Sequence, residues 1–182
     1  MTLTIDYSLI QTAASDRDAL ERLIARVWPD AYRLAMGVLR DRSLAEDAAQ
    51  EACASMAVWL ASLKDAAAFR TWFYRLVVNA AITISRRRRE TVTLQTAENE
   101  SVEYDSTDAL DLAAALQRLA PQQRAMVLLH YYAGLNSREI AEATGTPAAT
   151  VRFHLLLARR ALRRALSVSA QAARAEVFSN AH

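Results

Sequence analysis

Apolar positions recur with a helical period over most of the chain. From about Asp16, Leu20, Leu23, Ile24, Val27, Trp28, Tyr32, Leu34, Ala35, Val38 and Leu39 keep one stripe, which predicts a helix with a bend near Pro29. Residues 1–15 carry little pattern and read as a short arm. Ser43-Leu44-Ala45-Glu46 has capping-box spacing, so a second helix is expected from there to about Leu60. Its apolar stripe holds Ala48, Ala52, Met56, Trp59 and Leu60, and its opposite face holds Glu46, Asp47, Gln50 and Glu51. After a connector at 64–68, a denser helix is predicted over about 67–87. Trp72, Phe73 and Tyr74 are consecutive there, so one helix cannot turn all three rings to the same core and at least one stays partly exposed. Three helices of this length with short connections pack as a bundle.

Residues 90–108, ETVTLQTAENESVEYDSTD, break the pattern: they are acidic and lack an apolar stripe, which reads as a flexible linker and a domain boundary. A short helix over about 109–119 follows, then one starting at Pro121 with Ala125, Val127, Leu128 and Leu129 facing inward. Residues 137–156, SREIAEATGTPAATVRFHLL, predict a helix, a tight turn at Gly145-Thr146-Pro147 and a second helix running to about Leu166. Asn136 and Glu139 fit a capping box, Gly145 suits a left-handed turn, Thr146 suits a cap and Pro147 a first helical position. Ile140, Ala141, Val151 and Leu155 need a third helix to pack on, and the 121–132 segment supplies it. The expected fold is all-α: two small helical domains, 1–89 and 109–166, joined by the acidic linker 90–108, with a helix-turn-helix in the second and a fraying tail at 167–182.

Composition narrows the function. Three glycines, three prolines and 53% hydrophobic residues favour helix throughout. A secretory leader is not visible, and no apolar run is long enough for a membrane span, so a cytoplasmic protein is expected. The net charge of +2 hides a strong pattern: residues 1–85 carry −1, Arg86–Arg89 carry +4, residues 90–111 carry −7 and residues 112–182 carry +6. Two basic patches around an acidic spacer suit two contacts on one polyanion, although charge blocks also form plain solvated faces.

The second helix of a helix-turn-helix places its N-terminal part in the major groove. Thr150, Arg152, Phe153 and His154 are the candidates to face DNA, because Val151 and Leu155 belong to the core. Arg152 suits either a bidentate guanine contact or a phosphate, whereas Arg159, Arg160, Arg163 and Arg164 lie too far along to read bases and are phosphate contacts or solvated charge. Arg86–Arg89 is either a helix end favoured by the dipole or a phosphate-neutralising row beside aromatic rings that stack on unpaired bases. Enzyme chemistry finds little to work with. His130, His154, His182 and Cys53 lack metal-ligand spacing, Cys53 reads as a small core residue, and no phosphate-cradling glycine loop exists. No metal or other cofactor is expected.

Three segments resemble the extracytoplasmic-function group of the sigma-70 family of bacterial initiation factors. DRSLAEDAAQEA (41–52) is similar to the family's core-binding helix. AAFRTWFYRLVVNAAITISRRRR (67–89) resembles its promoter −10 segment, and residues 119–164 resemble its −35-binding domain. The resemblance implies a non-enzymatic sigma factor that binds core RNA polymerase, recognises promoter DNA and melts the −10 region. It implies that Glu46, Asp47, Gln50 and Glu51 dock on the polymerase large subunit. It assigns single-stranded −10 DNA to Arg70, Trp72, Arg75, Asn79, Arg86, Arg87 and Arg88, and a flipped base to the loop around 62–68. It assigns duplex −35 DNA to Ser137, Thr150, Arg152, Phe153, His154 and Arg159. An anti-sigma factor is a further expected partner, and it could hold the chain near the membrane without any insertion. The chain departs from the family pattern at Cys53, Ala57, Thr83 and Thr146, and it adds apolar residues at Phe153, Leu156 and Leu157. Two alternatives remain from the residues themselves: a stand-alone helix-turn-helix regulator, or a sigma mimic that titrates an anti-sigma factor.

Overall fold

The computed structural model describes residues 6–92, 116, 119–160 and 163, and it is all-α with two helical clusters. The expected linker beyond Val92, the tail 167–182 and most of the helix expected at 109–119 lie outside the described residues.

The first cluster holds α1 (Tyr7–Ala13), α2 (Arg17–Leu39), α3 (Arg42–Trp59) and α4 (Phe69–Val92), with 3₁₀ turns at Leu60–Ser62 and Ala66–Ala68 between the last two. Helix α1 corrects the expectation of an arm. Asp6 caps it by accepting from the Ser8 N–H at 3.0 Å, and Ile10 and Ala13 are buried. Two buried positions in two turns are too short a signal for periodicity to register.

Helix α2 runs unbroken through Pro29, and Asp16 caps it with a 2.6 Å bond from the Ala19 N–H. It ends at Arg40, whose left-handed φ of 59° lets its N–H reach the Met36 carbonyl. The cap of α3 is Asp41, which accepts from the Leu44 N–H at 3.0 Å, and not the predicted Ser43. A second correction concerns Trp59, placed on the apolar stripe of α3 but 59% exposed. The helix gives way to a 3₁₀ turn directly after it, so the stripe passes from Met56 to Leu60 and leaves Trp59 outside.

Helix α4 buries Phe69, Phe73, Tyr74, Val77, Val78 and Ala81 against α2 and α3. At about 25 cal/mol per Å², each ring of this size contributes roughly 2–3 kcal/mol by leaving water. Of the three consecutive aromatics, Phe73 and Tyr74 are fully buried and Trp72 is half-buried, as the spacing required.

The second cluster holds α5 (Pro121–Tyr131), α6 (Ser137–Thr144) and α7 (148–160). Pro121 sits in the first turn of α5, where its missing N–H costs nothing. The capping box at Asn136 forms in full: its side chain accepts from the Arg138 and Glu139 N–H groups, and Glu139 accepts from the Asn136 N–H at 2.7 Å. Gly145 takes φ 64° after α6. The predicted cap of the next helix is different, however. Thr146 donates its hydroxyl back to the Thr144 carbonyl at 3.5 Å, and Pro147 occupies the cap, its carbonyl accepting from Val151 N–H at 3.0 Å. Ile140, Val151 and Leu155 are buried with Ala125, Met126 and Leu129 of α5, which is the third helix the pattern demanded.

The clusters pack on each other, α5 on α2 and α6 on α4. Leu128 sits over Gly37, where an added Cβ would lie 2.6 Å from Leu128 Cδ1. Arg124, 8% exposed, donates to the carbonyls of Leu116 and Leu119, both at 3.1 Å, and across the seam to the carbonyl of Val38 near the C-terminus of α2. Tyr132 donates to the buried Asp30 at 2.9 Å, and Arg33 pairs with the same carboxylate at 2.7 Å.

Candidate nucleic-acid interface

Helix α4 carries most of the first candidate surface, and its core face sets what its outer face presents. Phe69 and Phe73, one turn apart, stack with centroids 5.8 Å apart and planes at 3°. Trp72 tilts against Phe69 at 5.9 Å, so its ring is held half-buried at the edge of the core. Arg75 and Asn79 lie four residues apart on the exposed side, and Arg86 and Arg87 are exposed further along. Arg70 is half-buried near Gly134 of the second cluster. Arg88 is half-buried because its guanidinium pairs with Asp41 at 2.7 Å, the carboxylate whose other oxygen caps α3. The seven candidates thus divide by exposure: Arg75, Asn79, Arg86 and Arg87 are exposed, while Arg70, Trp72 and Arg88 are half-buried.

Helix α3 brings Glu46, Asp47, Gln50 and Glu51 together on one exposed face. Among the described residues none of the three carboxylates is in an ion pair. That leaves negative charge available to a basic partner. Beneath it Cys53 is buried, and burial pushes its thiol up to about 11, so it stays neutral at physiological pH.

On α7, Arg152 and Phe153 are exposed, Phe153 to 57%, and Thr150 is half-buried. His154 is less free than expected: its Nδ1 lies 3.1 Å from the Gln123 side-chain nitrogen on α5. Because that amide nitrogen only donates, Nδ1 accepts and the ring is held in one tautomer. Arg159 is exposed, and Ser137 is half-buried at the start of α6. Leu156 and Leu157 extend the apolar exposure of Phe153 at helical spacing.

An open cleft of about 230 Å³ lies where α1 meets the connector, lined by residues that include Ile10, Gln11, Leu63, Lys64 and Ala66. Three contributors escaped the sequence reading. Asp41 and Gln123 act by holding Arg88 and His154, and only the capping propensity of Asp41 gave any signal. Asp30 is held within the seam, where burial and then the hydrogen bond to Asp30 push the Tyr132 hydroxyl pKa up, and where the hydrogen bond to the same carboxylate raises that of Arg33.

Comparison with known proteins accounts for both clusters in order. Residues 23–91 match the family model "Sigma-70 region 2", and residues 109–162 match "Sigma-70, region 4". The chain is 32% identical over 157 residues to the ECF RNA polymerase sigma factor SigM of Mycobacterium tuberculosis strain H37Rv, covering 84% of this chain and 80% of the relative. It is 26% identical over 140 residues to the RNA polymerase sigma factor SigV of Bacillus subtilis strain 168, covering 74% of this chain and 82% of the relative. Among solved structures, the sigma factor RpoE from Bartonella quintana, crystallised with the anti-sigma factor NepR, superposes with a TM-score of 0.68 at 21% identity, over 81% of this chain and 96% of that one. CnrH, solved with the cytosolic domain of CnrY, gives a TM-score of 0.64 at 21% identity, over 90% and 97%. No helix among the described residues is long and apolar enough to cross a membrane. The two region matches in sequence order, with a relative 32% identical across four fifths of its length, mean that this chain belongs to the ECF sigma factors of the sigma-70 family, non-enzymatic proteins that direct RNA polymerase to promoters.

Proposed function

We propose that the chain divides its work between a first domain, residues 1–89, that holds core polymerase and melted −10 DNA, and a second, residues 109–166, that holds duplex −35 DNA. The exposed acidic face of Glu46, Asp47, Gln50 and Glu51 is the observation that carries this reading, since its carboxylates have no ion-pair partner among the described residues. It docks on core polymerase. Arg75, Asn79, Arg86 and Arg87 take the −10 strand from the exposed side of α4, with Arg70, Trp72 and Arg88 at its margins. The cleft beside Leu63, Lys64 and Ala66 receives one base, and contacts of about 1–3 kcal/mol per base offset the few kcal/mol needed to unstack it. Helices α6 and α7 act as the helix-turn-helix, with Arg152 and Phe153 foremost in the major groove, Thr150, His154 and Ser137 beside them, and Arg159 on phosphate. An anti-sigma factor is the proposed inhibitor, on the precedent of RpoE with NepR and CnrH with CnrY. The exposed stripe of Phe153, Leu156 and Leu157 offers it apolar surface.

Run-off transcription with core polymerase and the full chain tests the assignment. Charge reversal at Glu46, Asp47 and Glu51 together should weaken association with core at least tenfold while leaving the melting temperature within a few degrees. Unchanged association would remove α3 as the docking face.

A further inference from the structure

Gln123 is the third residue of α5, and its side-chain oxygen reaches back to accept from the Ala120 N–H at 3.2 Å. A backbone N–H only donates, so this bond decides which end of the amide is which: oxygen towards Ala120, nitrogen towards α7. That nitrogen lies 3.1 Å from His154 Nδ1. It too only donates, so Nδ1 is bare and the ring carries its proton on Nε2. The Phe153 ring meets the imidazole in a T-shaped contact, with centroids 5.9 Å apart and planes at 61°, and gives it a second neighbour to rest on.

The arrangement leaves one donor over. Nε2–H makes no hydrogen bond among the described residues, yet it is not sealed from solvent. His154 is the seventh residue of α7, on the same side as Thr150 one turn earlier. In the major groove the base edges differ in kind. Guanine presents O6 and N7, both acceptors, whereas cytosine presents the N4 amino donor. A lone N–H of fixed direction therefore separates these two bases. Phosphate is better served by Arg152 and Arg159, which are exposed and charged.

We propose that Gln123 is a positioning residue for −35 specificity: by keeping Nδ1 bare it makes His154 a fixed Nε2–H donor, with which α7 accepts guanine and rejects cytosine at one base position. The inference rests on α7 lying in the major groove, as assigned above. Gln123 acts through His154 and not on the DNA.

Gln123→Glu reverses the device. One carboxylate oxygen still accepts from the Ala120 N–H, so α5 keeps its cap, while the other faces Nδ1 and requires a proton there. Nε2 is then bare and accepts, and the favoured edge becomes the cytosine amino group. Two measurements on the full chain at pH 9, where imidazole is neutral, read the change. In long-range proton–nitrogen NMR with isotope-labelled histidine, His154 is assigned through His154→Ala. The parent should show the proton on Nε2, and Gln123→Glu should show it on Nδ1. Run-off transcription with core polymerase is then compared over promoters varied at each −35 position. At one position the parent should favour guanine over cytosine by about three- to tenfold, His154→Ala should show no preference, and Gln123→Glu should reverse the order. A proton on Nδ1 in the parent, or a ring proton unmoved by Gln123→Glu, overturns the proposal. So does a loss in Gln123→Glu that is equal on every sequence, which is what a merely structural role or a phosphate contact gives. If the parent starts no transcript at any promoter, the promoter reading fails and takes the base contact with it, and the ring spectrum alone decides whether Gln123 fixes the proton.

Discussion

The two clusters are held together by different means. The first uses three helices of 18 to 24 residues, with the short α1 packed on α2, around a core with Phe69, Phe73, Tyr74 and Met56. The second uses α5 and α6, of 11 and 8 residues, around a core without a buried aromatic ring among the described residues, and it places Arg124 where an apolar side chain would usually sit. Helices this short are marginal alone, so caps, turns and contact with the neighbouring bundle carry a larger share of their stability. The first cluster should therefore break through its packing and the second through its ends.

Phe73→Ala is the largest expected effect. The ring is fully buried and stacked on Phe69, and removing it should cost about 3–5 kcal/mol in urea unfolding followed by far-ultraviolet circular dichroism. A loss below about 1 kcal/mol would mean that the stacked pair does not organise this core.

A smaller effect in the same cluster comes from Cys53. Its thiol has an ordinary pKa of 9.0 and is pushed up to about 11 in the fold by burial. The folded state then holds a proton that the unfolded chain releases. Stability is level below pH 9, falls as pH rises towards 11, and loses on the order of 2–3 kcal/mol in that window. Cys53→Ala should flatten the 9–11 window by this amount when urea midpoints are compared at pH 8, 10 and 11. Parallel profiles for the two chains would show that the thiol does not titrate with unfolding.

What was legible in the sequence follows the same division. The long helices of the first cluster announce themselves because five or more apolar positions in each share one period, and the capping box at Asn136 is legible because capping is local. Short or relational features are not. Helix α1 has two anchors only, and Trp59 leaves the core because the helix changes to a 3₁₀ turn after it. The seam is least visible of all. Gly37 looks like a weak point in a helix until Leu128 is set upon it, and Arg124 looks like surface charge until three carbonyls surround it. At the interface, exposure separated side chains that spacing had grouped: Arg152 and Phe153 stand clear, while His154 is held by Gln123 and Arg88 by Asp41.

Arg152 sharpens the comparison on the DNA side. If it reads a guanine, Arg152→Ala should cost about 1–3 kcal/mol on the preferred −35 sequence and much less on variants at one position. Binding measured across a set of single-base −35 variants checks this. A uniform loss on every sequence makes it a phosphate contact, and the specificity of α7 then falls to its neighbours.

The smallest effect bears most directly on the claim about helix ends. Asn136→Ala removes the acceptor of two N–H groups at the start of α6 and leaves the Glu139 return bond without its reciprocal partner. Such a cap is worth about 1 kcal/mol. Asp41→Ala removes the corresponding acceptor from α3, but that helix is 18 residues long and buries six side chains. Equal losses of free energy at the two caps should therefore appear differently in hydrogen exchange. Protection should fall throughout α6 after Asn136→Ala, because the eight-residue helix has little else to hold it. After Asp41→Ala the loss should stay within the first turn of α3, plus whatever follows from freeing Arg88. If α6 keeps its protection, its contact with α4 supports it more than its cap does, and the second cluster owes its order to the first.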